Sequence, residues 1–229
     1  MDGLTKRDFS QICDFVVNRP GITVDEVLGA LHQALDLDWR VMATSYCFYP
    51  YIKEELKRCG KEGAITLIGG AGFPYGNWPT EIKRACIRHC LDAGAGEFDL
   101  TCNISWIKSG MYQEIRDEVL AVREIIGPDR AMRLFTHAPI LTEDEIKALA
   151  DIVAETGVNY FKTGSGREGA ATTAQLVATV KRHLGHRAGI KASGGIRTKE
   201  DVLAMYEAGA TRFGVSYKNA LQIYHELND

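Results

Sequence analysis

The chain has 229 residues, enough for one large α/β domain or two small ones. Its composition is ordinary, 45% hydrophobic and 25% charged, and a formal net charge of −3 without a basic stripe argues against nucleic acid as a partner. No apolar run approaches the roughly 18 residues that a membrane span needs, and the opening MDGLTKRDFS lacks the apolar core of a signal peptide, so a cytoplasmic location is expected.

Short apolar runs alternate with longer amphipathic segments along the whole chain. The strands expected are residues 11–17, 40–47, 64–70, 96–102, 131–137, 158–164, 188–193 and 211–216. Several are nearly apolar, as strands covered on both faces should be. Between them lie helix-like stretches. TVDEVLGALHQAL opens with a Thr-x-x-Glu capping box at Thr23 and Glu26. PTEIKRACIRHCLDAG starts near Pro79 and stops on Gly94. TEDEIKALADIVAETG opens at Thr142 with acids in its first turn and closes on Gly157, and TKEDVLAMYEAG (198–209) has the same form.

Eight strands, most followed by a helix, predict one α/β domain over residues 1–229, a single (β/α)8 TIM barrel. The rival architecture, an open doubly wound sheet, lacks the GxGxxG expected after its first strand. The six cysteines show no disulfide rhythm. Cys86, His89 and Cys90 cluster at helical spacing, but a metal site needs more ligands converging from elsewhere, so they read as helix cysteines and no metal is expected.

Two lysines stand out. Lys162 closes the apolar run of VNYFKTGSG and Lys191 closes that of AGIKASGGIRT, 29 residues later, about one strand–helix–strand unit. Lysines are rarely buried, and the active site of such a barrel lies at the C-terminal strand ends. Two ammonium groups entering one pocket from adjacent strands disfavour protonation of one of them, and desolvation adds to this. The neutral amine can attack a carbonyl to give a Schiff base, while the other stays charged as an electrostatic tuner. Asp99 ends a third strand in GEFDLTCN, where a carboxylate can pair with the charged lysine and relay protons. A strand-end lysine alone is more often a salt-bridged rim residue, and Asp99 alone could be a helix cap or rim partner; the joint pattern, with both lysines closing apolar runs before glycine-containing loops, favours chemistry.

The loops suggest an anion on the substrate. Thr163, Gly164, Ser165, Gly166 and Arg167 follow Lys162; Gly194 and Gly195 follow Lys191; the last strand supplies Gly214 and Ser216. Phosphate sites of barrels are commonly built from the loops after strands 7 and 8, where glycines let backbone amides approach an anion. Arg167 can clamp the same anion.

FKTGSG, KASGGIRT, EFDLTCN and GFPYGNWPTEIK together resemble deoxyribose-phosphate aldolase, with support from SYCFYPYIKEEL and ATRFGVS, over about Cys13 to Ser216. The resemblance implies a metal-free class I lyase with no cofactor beyond the covalent lysine imine. It implies reversible cleavage of 2-deoxy-D-ribose 5-phosphate to acetaldehyde and D-glyceraldehyde 3-phosphate, a step of deoxyribonucleotide catabolism and carbohydrate degradation. By the same resemblance Lys162 is the nucleophile, Lys191 the lysine that depresses its pKa, and Asp99 the proton-relay acid. Gly166, Arg167, Gly194, Gly195, Gly214 and Ser216 take the phosphate. Asp14 matches the aspartate of the first strand. Asn103 closes the Asp99 motif and joins Asp14, Cys47 and His137 as a pocket candidate. Cys47 matches a strand-end cysteine near the substrate channel, or is a small buried apolar residue. The partners implied are a small phosphorylated sugar or aldehyde and a second copy of the chain, as a homodimer or higher homo-oligomer.

The chain departs from the family pattern at the rim. Lys-Thr-Gly-Ser-Gly replaces the usual Lys-Thr-Ser-Thr-Gly, and Gly-Val-Ser-Tyr replaces a loop usually reading Gly-Thr-Ser-Ser, so Tyr217 stands in place of a hydroxyl. His137 occupies a position where many members carry glutamate, either as a polar pocket residue or as a satisfied core histidine. Three alternatives therefore stay open: a related class I aldolase with another donor or acceptor aldehyde, a phosphate-binding barrel isomerase, and a non-catalytic phosphate-binding barrel.

Overall fold

The computed structural model describes residues 4–229. Eight parallel strands close into a barrel in sequence order: β1 (Cys13–Val17), β2 (Val41–Thr44), β3 (Thr66–Ala71), β4 (Glu97–Thr101), β5 (Met132–Phe135), β6 (Tyr160–Lys162), β7 (Gly189–Ser193) and β8 (Arg212–Ser216), with β8 pairing back onto β1. Ten helices among the described residues accompany them: α1 (Lys6–Ile12), α2 (Val24–Asp36), α3 (Tyr49–Arg58), α4 (Thr80–Asp92), α5 (Ile104–Lys108), α6 (Tyr112–Ile126), α7 (Glu143–Glu155), α8 (Ala174–Leu184), α9 (Lys199–Glu207) and α10 (Tyr217–Glu226). This is the expected (β/α)8 barrel.

Each of the eight expected strands overlaps an observed one, and seven contain theirs; β3 runs one residue further, to Ala71. The helix starts agree too, because capping is local chemistry. At α2, Thr23 accepts from the Glu26 amide while the Glu26 carboxylate accepts from the Thr23 amide; Thr142 with Glu145 and Thr198 with Asp201 repeat the arrangement. Two further boundaries differ. Gln11 and Ile12 belong to α1, launched by a further capping box at Thr5 and Asp8. Its seven residues are too few for a periodic signal, and Phe9 anchors it against Trp39 and Phe213. β2 stops at Thr44, because residues 46–48 turn into a 3-10 helix that runs straight into α3.

The strands also carry more charge than the expected pattern of two apolar faces. In β4, Phe98 and Leu100 are buried apolar residues, while Glu97 and Asp99 alternate with them. β5 alternates Met132 and Leu134 with Arg133; β7 alternates Ile190 and Ala192 with Lys191; β8 alternates Phe213 and Val215 with Arg212. The apolar set packs under the helices. The charged set meets across the lumen, since Arg133 of β5 reaches Asp14 of β1 at 3.6 Å although those strands are not neighbours.

A second buried pair lies outside the barrel. Lys83 of α4 donates to Glu118 of α6 at 2.8 Å and to the Thr101 carbonyl at 3.0 Å, tying both helices to the end of β4. Thr80 satisfies the other Glu118 oxygen at 3.0 Å. Removing one partner of a fully buried pair leaves an uncompensated charge, so Lys83→Met should lower the unfolding free energy by about 3–5 kcal/mol in a urea titration.

Candidate active site

The C-terminal strand ends open into a cavity of about 540 Å³. Lys162 and Lys191 both line it, as the register requires: they are direct partners on the adjacent strands β6 and β7. The Lys162 side chain keeps 16% of its surface accessible, whereas that of Lys191 keeps 2%. Asp99 joins them. Its Oδ2 accepts from Lys162 Nζ at 2.6 Å and its Oδ1 lies 3.8 Å from Lys191 Nζ, so one carboxylate spans the two amines.

Beneath this triad the lumen is ionic. Asp14 pairs with Lys191, with Arg212 at 2.7 Å and with Arg133 at 3.6 Å. Glu97 pairs with Arg133 and with Arg212 at 2.7 Å, and Arg133 reaches Asp99 at 3.4 Å. Four bases thus face three carboxylates, which leaves one positive charge in excess if all are ionised. In a low-dielectric lumen that excess is relieved most cheaply by deprotonating an amine, because arginine holds its proton too tightly.

Burial pushes the Lys191 ammonium down to about 7, with Arg133 adding to the shift, Asp14 and Asp99 opposing it, and Lys162 contributing least. The order of causes differs from the expectation. Burial and a guanidinium depress the amine more than the neighbouring lysine does, and the depressed group is the one expected to stay charged. Burial alone would raise the Asp14 carboxyl, but Lys191, Arg133 and Arg212 outweigh it and hold Asp14 well below the usual carboxylate range. Arg133, lowered by burial to about 10, remains cationic at neutral pH.

The cavity has two walls. On one side Phe135 stacks on Phe73 at 6.4 Å and lies under Lys162 Nζ at 5.2 Å from its ring centre; Tyr46 and Ile68 continue this apolar face. On the other side lie Gly194, Gly195, Gly214, Ser216, Arg167 and Arg197. Gly194 has φ +97°, and a methyl there would sit 2.7 Å from the Gly166 amide nitrogen, so only glycine lets the β6 and β7 loops close up. A side chain at Gly214 would sit 3.2 Å from Lys191 Cε, so that position keeps the lysine's channel clear. Ser216 precedes α10, whose first turn has no side-chain cap and no acid, and Asn219 of that turn also lines the cavity. Neither Arg167 nor Arg197 has a side-chain hydrogen bond or acidic partner among the described residues.

No protein-family model matches the chain. Among curated proteins, the deoxyribose-phosphate aldolase of Corynebacterium diphtheriae is 33% identical over 219 residues, covering 95% of this chain and 96% of that one. The deoxyribose-phosphate aldolase of Rhizobium meliloti is 36% identical over 165 residues, covering 72% and 66% of the two chains. A solved structure described as QR15, an aldolase, superposes with a TM-score of 0.86 at 26% identity, over 96% of this chain and 95% of that one. The chain belongs to the deoxyribose-phosphate aldolase family.

For a deoxyribose-phosphate aldolase family member, several candidates fall in unexpected places. Cys47 is not at a strand end: it sits in the 3-10 helix after β2, exposed, and is not among the residues lining the cavity. Asn103 turns away to cap α5, accepting from the Ser105 amide at 3.0 Å and the Trp106 amide at 3.3 Å. Asp14 lies beneath the cavity and not in its lining, and Gly166 packs behind Gly194. His137 is buried, consistent with a core histidine, with Nε2 3.2 Å from the Cys102 carbonyl. Its Nδ1 lies 3.4 Å from Glu168, an ion-pair distance without hydrogen-bond geometry. Cys86 is half-buried and Cys90 buried, as expected of helix cysteines. Metal-ligand atoms converge in one place among the described residues, at His32, Glu55 and Cys59, and none of these lines the cavity.

Sequence reasoning missed Arg133, Glu97, Arg212 and Arg197. The inward alternation of residues 97, 99, 133 and 135 could have found the first two. Arg197 stands inside the KASGGIRT motif itself.

Lys191 also sets a pH dependence. Its amine is neutral in the folded chain above about 7 but protonated in the unfolded chain below 10.5, so the unfolded state binds the extra proton in that window. The stability of the wild type relative to Lys191→Met should therefore rise with pH between those values and stay flat below them, measured by urea unfolding at successive pH values.

Proposed function

We propose that this chain is a class I aldolase that cleaves 2-deoxy-D-ribose 5-phosphate reversibly to acetaldehyde and D-glyceraldehyde 3-phosphate through an imine on Lys162. The observation that carries the reading is the shared carboxylate: Asp99 holds the accessible Lys162 amine at 2.6 Å while reaching the buried Lys191 at 3.8 Å. Family membership and the arginine-flanked glycine wall support it.

In cleavage, the Lys162 amine attacks the C1 aldehyde of the open-chain sugar. The carbinolamine loses water to give a protonated imine. Asp99 and Lys191, acting through water, take the proton from the C3 hydroxyl. The C2–C3 bond breaks, its electron pair flows into the imine, and glyceraldehyde 3-phosphate leaves. The enamine takes a proton at C2, and water then releases acetaldehyde and restores the amine. The imine is itself the electron sink, so these steps balance without a metal or organic cofactor. Asp99 returns the proton between the two amines because it touches both.

The two walls set the direction of binding. The phosphate sits against Gly194, Gly195, Gly214 and Ser216, with Arg167 and Arg197 as counter-charges and the uncapped start of α10 behind it. The two-carbon end then lies over Phe135. A volume of about 540 Å³ holds a sugar phosphate comfortably.

Borohydride reduction with acetaldehyde should leave a two-carbon adduct on the peptide containing Lys162, and none in Lys162→Ala. An adduct on a different lysine, or no adduct in folded wild type, would overturn the assignment. Asp99→Asn should lower kcat by about 10²–10⁴-fold in a coupled cleavage assay while its folding is preserved.

A further inference from the structure

The loop after β6 is held by two buried side chains that the chemical steps do not use. Residues 164–171 make no backbone–backbone hydrogen bond among the described residues, although this loop carries Ser165 and Arg167 to the cavity wall. Glu168 fixes it instead. Its two oxygens accept from the Ser165 amide at 3.0 and 3.2 Å, and Oε1 also accepts from the Ser165 hydroxyl at 3.0 Å. Ser165 Oγ in turn accepts from the Arg167 amide at 3.1 Å. The Glu168 side chain is 1% accessible, so its charge is almost wholly desolvated and needs a counter-charge.

His137 is placed to supply it. The residue follows β5 in a left-handed conformation, φ 59°, that aims its buried ring between the end of β4 and the β6 loop. Nε2 lies 3.2 Å from the Cys102 carbonyl and Nδ1 lies 3.4 Å from Glu168 Oε1. Both neighbours only accept hydrogen bonds. A ring lodged between two acceptors is attracted to both only when each nitrogen carries a hydrogen. Nδ1 has no other partner, and a left-handed backbone at a non-glycine residue is retained only where its surroundings hold it there.

We propose that His137 and Glu168 form a buried ion pair that positions the loop from Ser165 to Arg167, and through it selects phosphorylated over neutral acceptor aldehydes. The proposal rests on the aldolase reading above, and it makes both side chains positioning residues. The chain of contacts runs from the Cys102 carbonyl through His137, Glu168 and Ser165 to the Arg167 amide, so each link orients the next. Burial works against the Glu168 carboxylate, but His137 and the Ser165 amide and hydroxyl outweigh it and hold the group ionised, down to about 2.

The test compares glyceraldehyde 3-phosphate with unphosphorylated glyceraldehyde as acceptors for acetaldehyde. In Glu168→Ala, KM for the phosphorylated acceptor should rise about tenfold or more, the equivalent of about 1.4 kcal/mol, while KM for the neutral acceptor and both kcat values move less than about twofold. Glu168→Gln should recover only part of the loss, since its amide oxygen can still accept from Ser165 but carries no charge to pair with His137. His137→Gln should show the same selective rise in smaller measure. Calorimetric titration with inorganic phosphate gives a second readout independent of turnover, with affinity weakened about tenfold in Glu168→Ala. Equal rises in KM for both acceptors, a fall in kcat for both, or unchanged phosphate affinity would each overturn the proposal. A wild type that makes no aldol product defeats the parent reading alone, since the phosphate titration still decides this one.

Discussion

The lumen of this barrel is held together by a charge imbalance. Four bases and three carboxylates are enclosed by the eight strands, and no water-rich path screens Asp14, Arg133 or Lys191, all nearly inaccessible. Such a cluster is stable only if its members satisfy one another, and the ion pairs leave each carboxylate shared between bases. The surplus positive charge is the exception, and burial and Arg133 press it out at Lys191, whose ammonium is pushed down to about 7. An amine in a neutral state near physiological pH is then a property of the whole lumen. The lysine–lysine repulsion that first draws attention in the sequence is the smallest of the contributions at Lys191; burial and the Arg133 guanidinium come before it.

This constraint organises the strands. A barrel interior filled with branched apolar side chains would give a stable fold but no acid–base machinery. Here the inward positions of β1, β4, β5, β7 and β8 are given over to charge, and cohesion comes from the outward apolar set under the helices. Lys162 stands at the upper edge of the ionic layer, where an amine touches both the network and the open cavity. Lys191, one strand away in the same register, is sealed below it. Their burial differs although the residue types are identical, which fits the roles proposed for them as nucleophile and proton reservoir.

Much of this was legible in the sequence, for local reasons. Strand runs and capping boxes involve residues a few positions apart, so all eight strands and the starts of α2, α4, α7 and α9 could be read directly. Lys162, Lys191 and Asp99 were visible because each closes an apolar run. What escaped was non-local. Arg212 and Asp14 are separated by 198 residues and meet only because β8 closes onto β1. Glu97 and Arg133 look like solvated charges until the lumen is known to join them. Cys47 and Asn103 were misplaced for a different reason: each follows an apolar run, but Cys47 lies inside a 3-10 turn and Asn103 is spent capping the helix that follows it.

The rim departures acquire a physical sense once the walls are separated. Tyr217 packs its ring on Phe15 at 5.9 Å and is not among the residues lining the cavity. The N-cap of α10, Ser216, makes no side-chain cap hydrogen bond, so the first amides of the helix are left for an external acceptor. The histidine at 137, bound to the Cys102 carbonyl, meets a carboxylate from the neighbouring loop, Glu168. The negative charge beside His137 is thus carried by the loop that it fixes. This loop is bound by side chains alone and can be altered locally, whereas the lumen beneath cannot lose one charge without disturbing the ion pairs around it.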